Sequence, residues 1–382
     1  MLLGLTSGLS TFGMASLVPA LPALATALDA DFGAVQFVLS VYLLALGLAQ
    51  PVQGMLCDRF GRRPVMLAGF STFALGSAAA AFAPGLPWLI GARLVQALGV
   101  SVGTVAARAM VRDTHDPERA AVSLSFITAV MGLSPIVSPI AGGFIVEHLG
   151  WRAIFWLHVV VALALLAWMS AAMPETRPGS PRSGGRAALA RGCALLLADR
   201  RFLGYTLVYG FANGVIYAFL TVGAAFFASE FGIGPARFGL MWALLAAAFT
   251  AGAWSAGTGA RRFGARRMLR GGVALTALGT AIFGVAALLR APQVGGYLAA
   301  LVLLIAGNGI MSPLALAGAV GEHPGLAGLA SGLSSALAML TTVMFAVLTG
   351  ALYRGGPGTI ALLMALGAAG VALAARISCA RR

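Results

Sequence analysis

Residues able to do chemistry are few in this sequence, because charged side chains make up 9% of the 382 residues and hydrophobic ones 60%. The densest cluster is GMLCDRFGRRPVML, Gly54–Leu67, in which Gly54, Asp58, Arg59, Gly61, Arg62 and Arg63 lie between two long apolar segments. Such a cluster sits in water or at lipid headgroups while its flanks sit in hydrocarbon. Arg93 falls inside an apolar run, where an arginine costs at least ~2.5 kcal/mol unless paired or hydrated, so it must face a protein interior. Near the end of the same run, Arg108, Arg112 and Asp113 form either an interfacial charge network or a substrate contact. Tyr205, Tyr209, Asn213 and Tyr217 recur every four residues and so share one slowly drifting helical stripe. A stripe of hydroxyls and an amide lines a cavity by stacking and adaptable hydrogen bonds, or joins helices through the same groups. Asn308, Met311, Met131 and Trp242 are further cavity candidates, each of which packing also explains.

Other chemistries lack their groups. The four histidines, His115, His148, His158 and His323, and the three cysteines, Cys57, Cys193 and Cys379, are scattered, so no metal site, disulfide, cofactor or catalytic cluster is expected. His158 titrates in the useful range if hydrated, although a lone membrane histidine also serves in packing. All eleven carboxylates fall at or beyond the ends of apolar runs. Neutral, zwitterionic or anionic ligands suit such an interior better than strongly cationic ones.

The elements that position these residues are membrane spans. Apolar runs of about 20 residues recur along the chain, each long enough to cross ~30 Å of hydrocarbon as a helix. Spans are expected at 2–28, 34–56, 65–83, 87–111, 120–146 and 153–172, and again at 202–228, 235–258, 268–289, 294–318, 327–350 and 357–376. The first run has no basic leader and continues through Pro19 and Pro22, so it is read as a span and not a signal peptide. The net charge of +14 comes from arginine alone; twenty arginines lie in the even-numbered connections and the C-terminus, against four on the opposite side. Both termini are therefore expected in the cytoplasm, with the arginines facing anionic headgroups and not nucleic acid.

Sliding the sequence by 203 residues places Gly54 on Gly257, Arg59 on Arg262, Phe60 on Phe263, Gly61 on Gly264 and Arg63 on Arg266, so the chain reads as two related halves. Asp58 then falls on Arg261, which makes the second copy an anchor. The halves, 1–172 and 202–382, are joined by a linker, 173–201, whose first part is rich in Pro, Gly and Ser. Its second part places Leu189, Cys193 and Leu196 or Leu197 on one stripe, an amphipathic helix expected on the inner leaflet.

Gly54, Leu56, Asp58, Arg59, Gly61, Arg62, Arg63 and Pro64 resemble the signature between spans 2 and 3 of the major facilitator superfamily. VPALPAL from Val18, VRD from Val111, SPIVSPIAGG from Ser134, WRAIFW from Trp151 and EHPGLAGLASGL from Glu322 resemble its twelve-span drug/proton antiporters, most closely the bicyclomycin-resistance (Bcr/CflA) branch. The resemblance implies an all-α membrane protein of twelve transmembrane helices in two pseudo-symmetric six-helix bundles. It implies export of small amphipathic molecules driven by proton entry, with Asp58 as a conformational latch against the dipole of span 11. RLVQALG, from Arg93, resembles a second motif whose arginine is tied to proton movement; a structural arginine bonded to span 1 carbonyls is the other reading. Pro135, Pro139, Gly142 and Gly143 resemble the antiporter kink of span 5, with Ser134 and Ser138 in place of two glycines. The branch carries an acid in span 1 at the position of Ala15, so coupling would have to pass through His158, through Glu147 and His148, or through Asp113.

The expected function is a bacterial inner-membrane exporter working by alternating access, not an enzyme. A nutrient importer or facilitator of the same fold, without strong proton coupling, is the rival. The expected partners are a small-molecule substrate, protons and anionic lipids at the cytoplasmic face, and the chain is expected to act as a monomer.

Overall fold

Long apolar runs that must satisfy their own backbone hydrogen bonds in lipid can only become helices or closed barrels. The computed structural model, which describes residues 1–114, 117–176, 186–289, 293–323 and 326–378, is helical, with no strand among the described residues. The first half contains α1 (Leu2–Ala15), α2 (Leu21–Ala27), α3 (Phe32–Val35), α4 (Phe37–Phe60), α5 (Arg62–Ala81), α6 (Leu86–Thr114), α7 (Pro117–Leu149) and α8 (Trp151–Ala172). After the linker helix α9 (Arg186–Ala198) come α10 (Arg200–Leu220), α11 (Gly223–Phe231), α12 (Pro235–Phe263), α13 (Ala265–Leu288), α14 (Val294–Gly321), α15 (Ala327–Leu352) and α16 (Gly358–Ser378). Eleven helical segments among the described residues are long and apolar enough to cross a membrane. At 33 residues α7 makes the twelfth.

The chain divides into two compact units, Met1–Arg182 with Ile233–Ala243, and Ser183–Gly232 with Leu244–Arg382. The division falls inside the linker, so α9 belongs to the second unit, and the first residues of α12 belong to the first.

Three sequence expectations change. The first span is not one helix over 2–28: α1 stops at Ala15, a 3-10 turn covers Val18–Ala20 and α2 starts at Leu21. Pro19 and Pro22 have no amide hydrogen, so an α ladder cannot run through them unbroken. The first span of the second half is interrupted at the repeat-related place, between Leu220 and Gly223, without a proline. Next, α4 runs on to Phe60, so Asp58 lies in its last turn and not after the span. Last, one face of α9, with Gly192 and Leu196, packs against protein. Leu196 is buried with Phe202, Ala319 and Ala330, while Leu195 and Leu197 stay exposed. The side chain of Leu189 lies outside the described ones.

Within each unit neighbouring helices meet backbone to backbone, and glycines make this possible. A Cβ on Gly69 of α5 would stand 2.6 Å from the Gly99 carbonyl oxygen of α6, and one on Gly76 would stand 2.8 Å from the Gln96 nitrogen. Gly272 and Gly279 of α13 occupy the positions 203 residues on. Their added Cβ atoms would stand 2.9 Å from the Gly307 oxygen and 2.5 Å from the Ala300 oxygen of α14. The sequence repeat is thus also a packing repeat.

Candidate functional site

The loop between α4 and α5 depends on Gly61, whose φ of +102° disfavours any side chain. That conformation turns the first amides of α5 outward, where the Glu175 carboxylate accepts from Arg62 N at 2.9 Å and Arg63 N at 3.2 Å. Arg62, 5% exposed, reaches Asp113 of α6 with Nε 3.3 Å from Oδ2, and Arg63 donates to the Ser170 carbonyl of α8 at 2.7 Å. Two groups of residues that the sequence kept apart, the Gly54–Arg63 cluster and the charges at the end of α6, are therefore one network. Gly54 faces Val105, and Arg59 lies over the Phe60 ring. The side chains of Asp58 and Arg112 lie outside the described ones.

Arg93 is fully buried in the first unit. Its Nη1 donates to the Gly13 carbonyl of α1 at 3.0 Å and to Gln96 Oε1 at 2.9 Å, its Nε donates to Val38 O of α4, and its guanidinium lies 4.0 Å from the centre of the Tyr42 ring. One of these partners, the Gly13 carbonyl, belongs to the first span. His158 of α8 is equally buried: Nε2 lies 2.9 Å from Ser16 Oγ, and Phe12, Phe73 and Phe155 surround the ring. Arg93 Nη2 and His158 Nδ1 have no partner among the described residues. Ser16 follows Ala15 in the interruption of the first span, so an ionisable ring stands beside the place where the resembling branch has its acid.

In α7, Pro135 and Pro139 sit inside the helix, and Ser138 Oγ donates to the Ser134 carbonyl at 2.6 Å. Gly142 presses on the Ser16 carbonyl and Gly143 on that of Pro235, so these glycines serve close helix approach. At the exposed end of α7, Glu147 is a cap: its Oε2 accepts from Ala236 N, in the first turn of α12, at 3.0 Å. His148 bonds to the Phe144 carbonyl and stacks on that ring.

The stripe on α10 divides. Tyr205, Tyr209, Asn213 and Tyr217 are all half-buried. The Tyr205 ring lies against Gly318 of α14, and Tyr205 and Tyr209 pack on the Val208–Met311 cluster. Asn213 Nδ2 donates to the Tyr209 carbonyl at 2.8 Å, a bond within its own helix. Two cavity candidates are buried: Asn308 is fully buried, its Oδ1 accepting from Ser312 Oγ at 2.9 Å and its Nδ2 without a partner among the described residues, and Met311 is fully buried in that same cluster. Trp242 is buried, and Met131 packs on Ala107, Val111 and Ile127.

Sequence reasoning missed both linker carboxylates. Glu175 caps α5; Asp199 caps α10, accepting from Arg201 N at 2.8 Å and from His323 Nε2 at 2.8 Å. Arg201 also lies 3.7 Å from Glu322. Burial pushes the Asp199 carboxyl up, but the hydrogen bonds from the Arg201 amide, His323 and the Phe202 amide outweigh it and hold the group below the usual carboxylate range. The available signal was that these two are the only acids in an arginine-rich linker. Among the described residues no group of three or more His, Cys, Asp or Glu is placed to hold a metal ion.

Twelve apolar helices, a 203-residue repeat that persists in packing, and a charged loop locked to α6 and α8 define a polytopic membrane protein. The chain belongs to the Major Facilitator Superfamily, whose family profile matches residues 3–346. It is 30% identical over 91% of its length to Multidrug resistance protein D of Escherichia coli, covering 87% of that protein. It is also 30% identical, over 62% of its length, to a bicyclomycin resistance protein homolog of Haemophilus influenzae, covering 60% of it. The fold is similar to that of a D-xylose-proton symporter, with a TM-score of 0.73 at 16% identity, covering 97% of this chain and 95% of that one.

Proposed function

We propose that this transporter exports small amphipathic molecules, drugs or metabolites, across a bacterial inner membrane by alternating access, in exchange for protons. The observation that carries the reading is the 30% identity to Multidrug resistance protein D across 91% of the chain. Proton entry is assigned to His158. Of the other groups considered for it, Asp113 is held by Arg62 and Glu147 by the Ala236 amide. His158 keeps Nδ1 without a partner among the described residues and meets Ser16 next to Ala15. Its ring of phenylalanines means that a proton reaches it only in a step of the cycle that admits water. Gly54, Asp58, Arg59, Gly61, Arg62 and Arg63 are read as the conformational latch, and Tyr209, Asn213 and Tyr217 as the stripe residues that meet a ligand.

Ala15, where the resembling branch has an acid, favours one other reading, an importer or facilitator without strong proton coupling. Inside-out vesicles loaded with the protein and offered labelled amphipathic compounds separate the two. Accumulation that needs an imposed proton gradient is expected, and His158→Gln should abolish the gradient dependence while leaving substrate counterflow. Transport indifferent to the gradient in the wild type would favour the second reading.

A further inference from the structure

At one end of the second unit, α13 and α16 pack side by side and leave a cleft of about 400 Å³ between them, lined by Arg270, Val273, Ala372, Ala375 and Arg376. Its floor is valine and alanine, and Val273 and Ala375 rest on the buried Val208–Met311 cluster. Its two polar walls are both guanidiniums. Neither α13 nor α16 contains a single Asp or Glu, and among the described residues neither arginine has an ion-pair partner. Arg266 lies four residues before Arg270 on the same exposed face of α13 and adds to the positive field. Such a site offers two guanidiniums and an apolar floor between two helices that are long and apolar enough to span a membrane.

We infer that this cleft binds one anionic phospholipid, its phosphate held between Arg270 and Arg376 and an acyl chain lying on Val273, Ala372 and Ala375. Guanidinium matches phosphate in a bidentate geometry, and the small floor side chains leave room for a chain to approach the helix backbones. The internal repeat supplies a contrast. In the first unit the start of α5 already has an anion, the Glu175 carboxylate on the Arg62 and Arg63 amides. In the second unit the repeat-related start of α13 has no side-chain cap, and nothing among the described residues lies within 4 Å of a Cβ built on Gly264. On this assignment the headgroup supplies α13 with the counter-charge that no described side chain provides.

The test is native mass spectrometry of the purified full chain, titrated with phosphatidylglycerol, with phosphatidylcholine and with water-soluble glycerol 3-phosphate. One phosphatidylglycerol is expected to be retained in preference to phosphatidylcholine, with glycerol 3-phosphate failing to displace it. The double variant Arg270→Gln/Arg376→Gln should weaken binding by roughly 25-fold, about fivefold per arginine near a membrane surface. Arg270→Lys/Arg376→Lys should keep most of it, and Arg354→Gln, near the start of α16, should bind as the wild type does. Equal retention of the two lipids, or an unchanged double variant with an unchanged Tm, overturns the site. Full displacement by glycerol 3-phosphate overturns the lipid assignment in favour of a free phosphate ligand.

Discussion

The Arg93 guanidinium is held by the carbonyls of Gly13 and Val38, the Gln96 amide and the Tyr42 ring, and no carboxylate bonds to it among the described residues. Hydrogen bonds to a charged group contribute about 1.5–3 kcal/mol each. Lysine carries a compact point charge without the planar fork, so it gives up the fixed geometry that spans two carbonyls, the Gln96 amide and the Tyr42 ring. Arg93→Lys is expected to lower stability by about 2–4 kcal/mol, read as a fall in Tm of the detergent-solubilised protein; an unchanged Tm would show that the fork is not what holds the core. Asp199 provides a second residue-scale expectation, with a defined pH sign. Its folded-state pKa is depressed, so its contribution is complete above the unfolded value of about 3.9 and is lost as pH falls through the lower folded value. Asp199→Ala should therefore cost about 1 kcal/mol near neutral pH, and Asp199→Asn less, because an amide oxygen still caps the helix. A difference in Tm that already disappears on acidification to about pH 6 would contradict this assignment to the carboxylate.

Helices in this protein are placed by what they lack as much as by what they carry. Gly69, Gly76, Gly272 and Gly279 let α5 meet α6 and α13 meet α14 at backbone distance, and no rotamer change relieves a collision with a carbonyl oxygen. Gly272→Val should destabilise by about 1–3 kcal/mol, the usual cost of overpacking. Gly284→Val, on the same helix but with nothing within 4 Å of its added Cβ, should change stability by no more than about 0.5 kcal/mol. Thermal unfolding of the two variants side by side decides the point, and equal losses would mean that close approach does not set the cost, since valine is the better helix former of the two residues. Helix ends follow a related logic. The linker's two acids cap α5 and α10, one in each unit, so the connection between the halves also fixes where a span begins in each of them.

Across the whole molecule, the expected readout of the α10 stripe is the range of molecules transported. Tyr209→Ala and Asn213→Ala should alter the substrate profile more than protein abundance, compared over a panel of labelled amphipathic compounds; an unchanged profile would return both residues to packing, the role that Tyr205 already has against Gly318. The class of protein, the twelve spans and the two related halves were legible in the sequence, because lipid and water sort residues one at a time and a run of apolar residues needs no partner to declare its depth. The interruption at Pro19 was written in the sequence but read through, whereas the one after Leu220 carries no proline to announce it. What only the tertiary structure decided is which neighbour each polar group meets. Glu175 finds amides 113 and 112 residues away, and His158 finds Ser16 across 142 residues. Arg62 joins Asp113 across 51 residues. Helical periodicity fixes the face on which such a side chain lies, but the group opposite it is set by how helices far apart in the chain come to pack against one another.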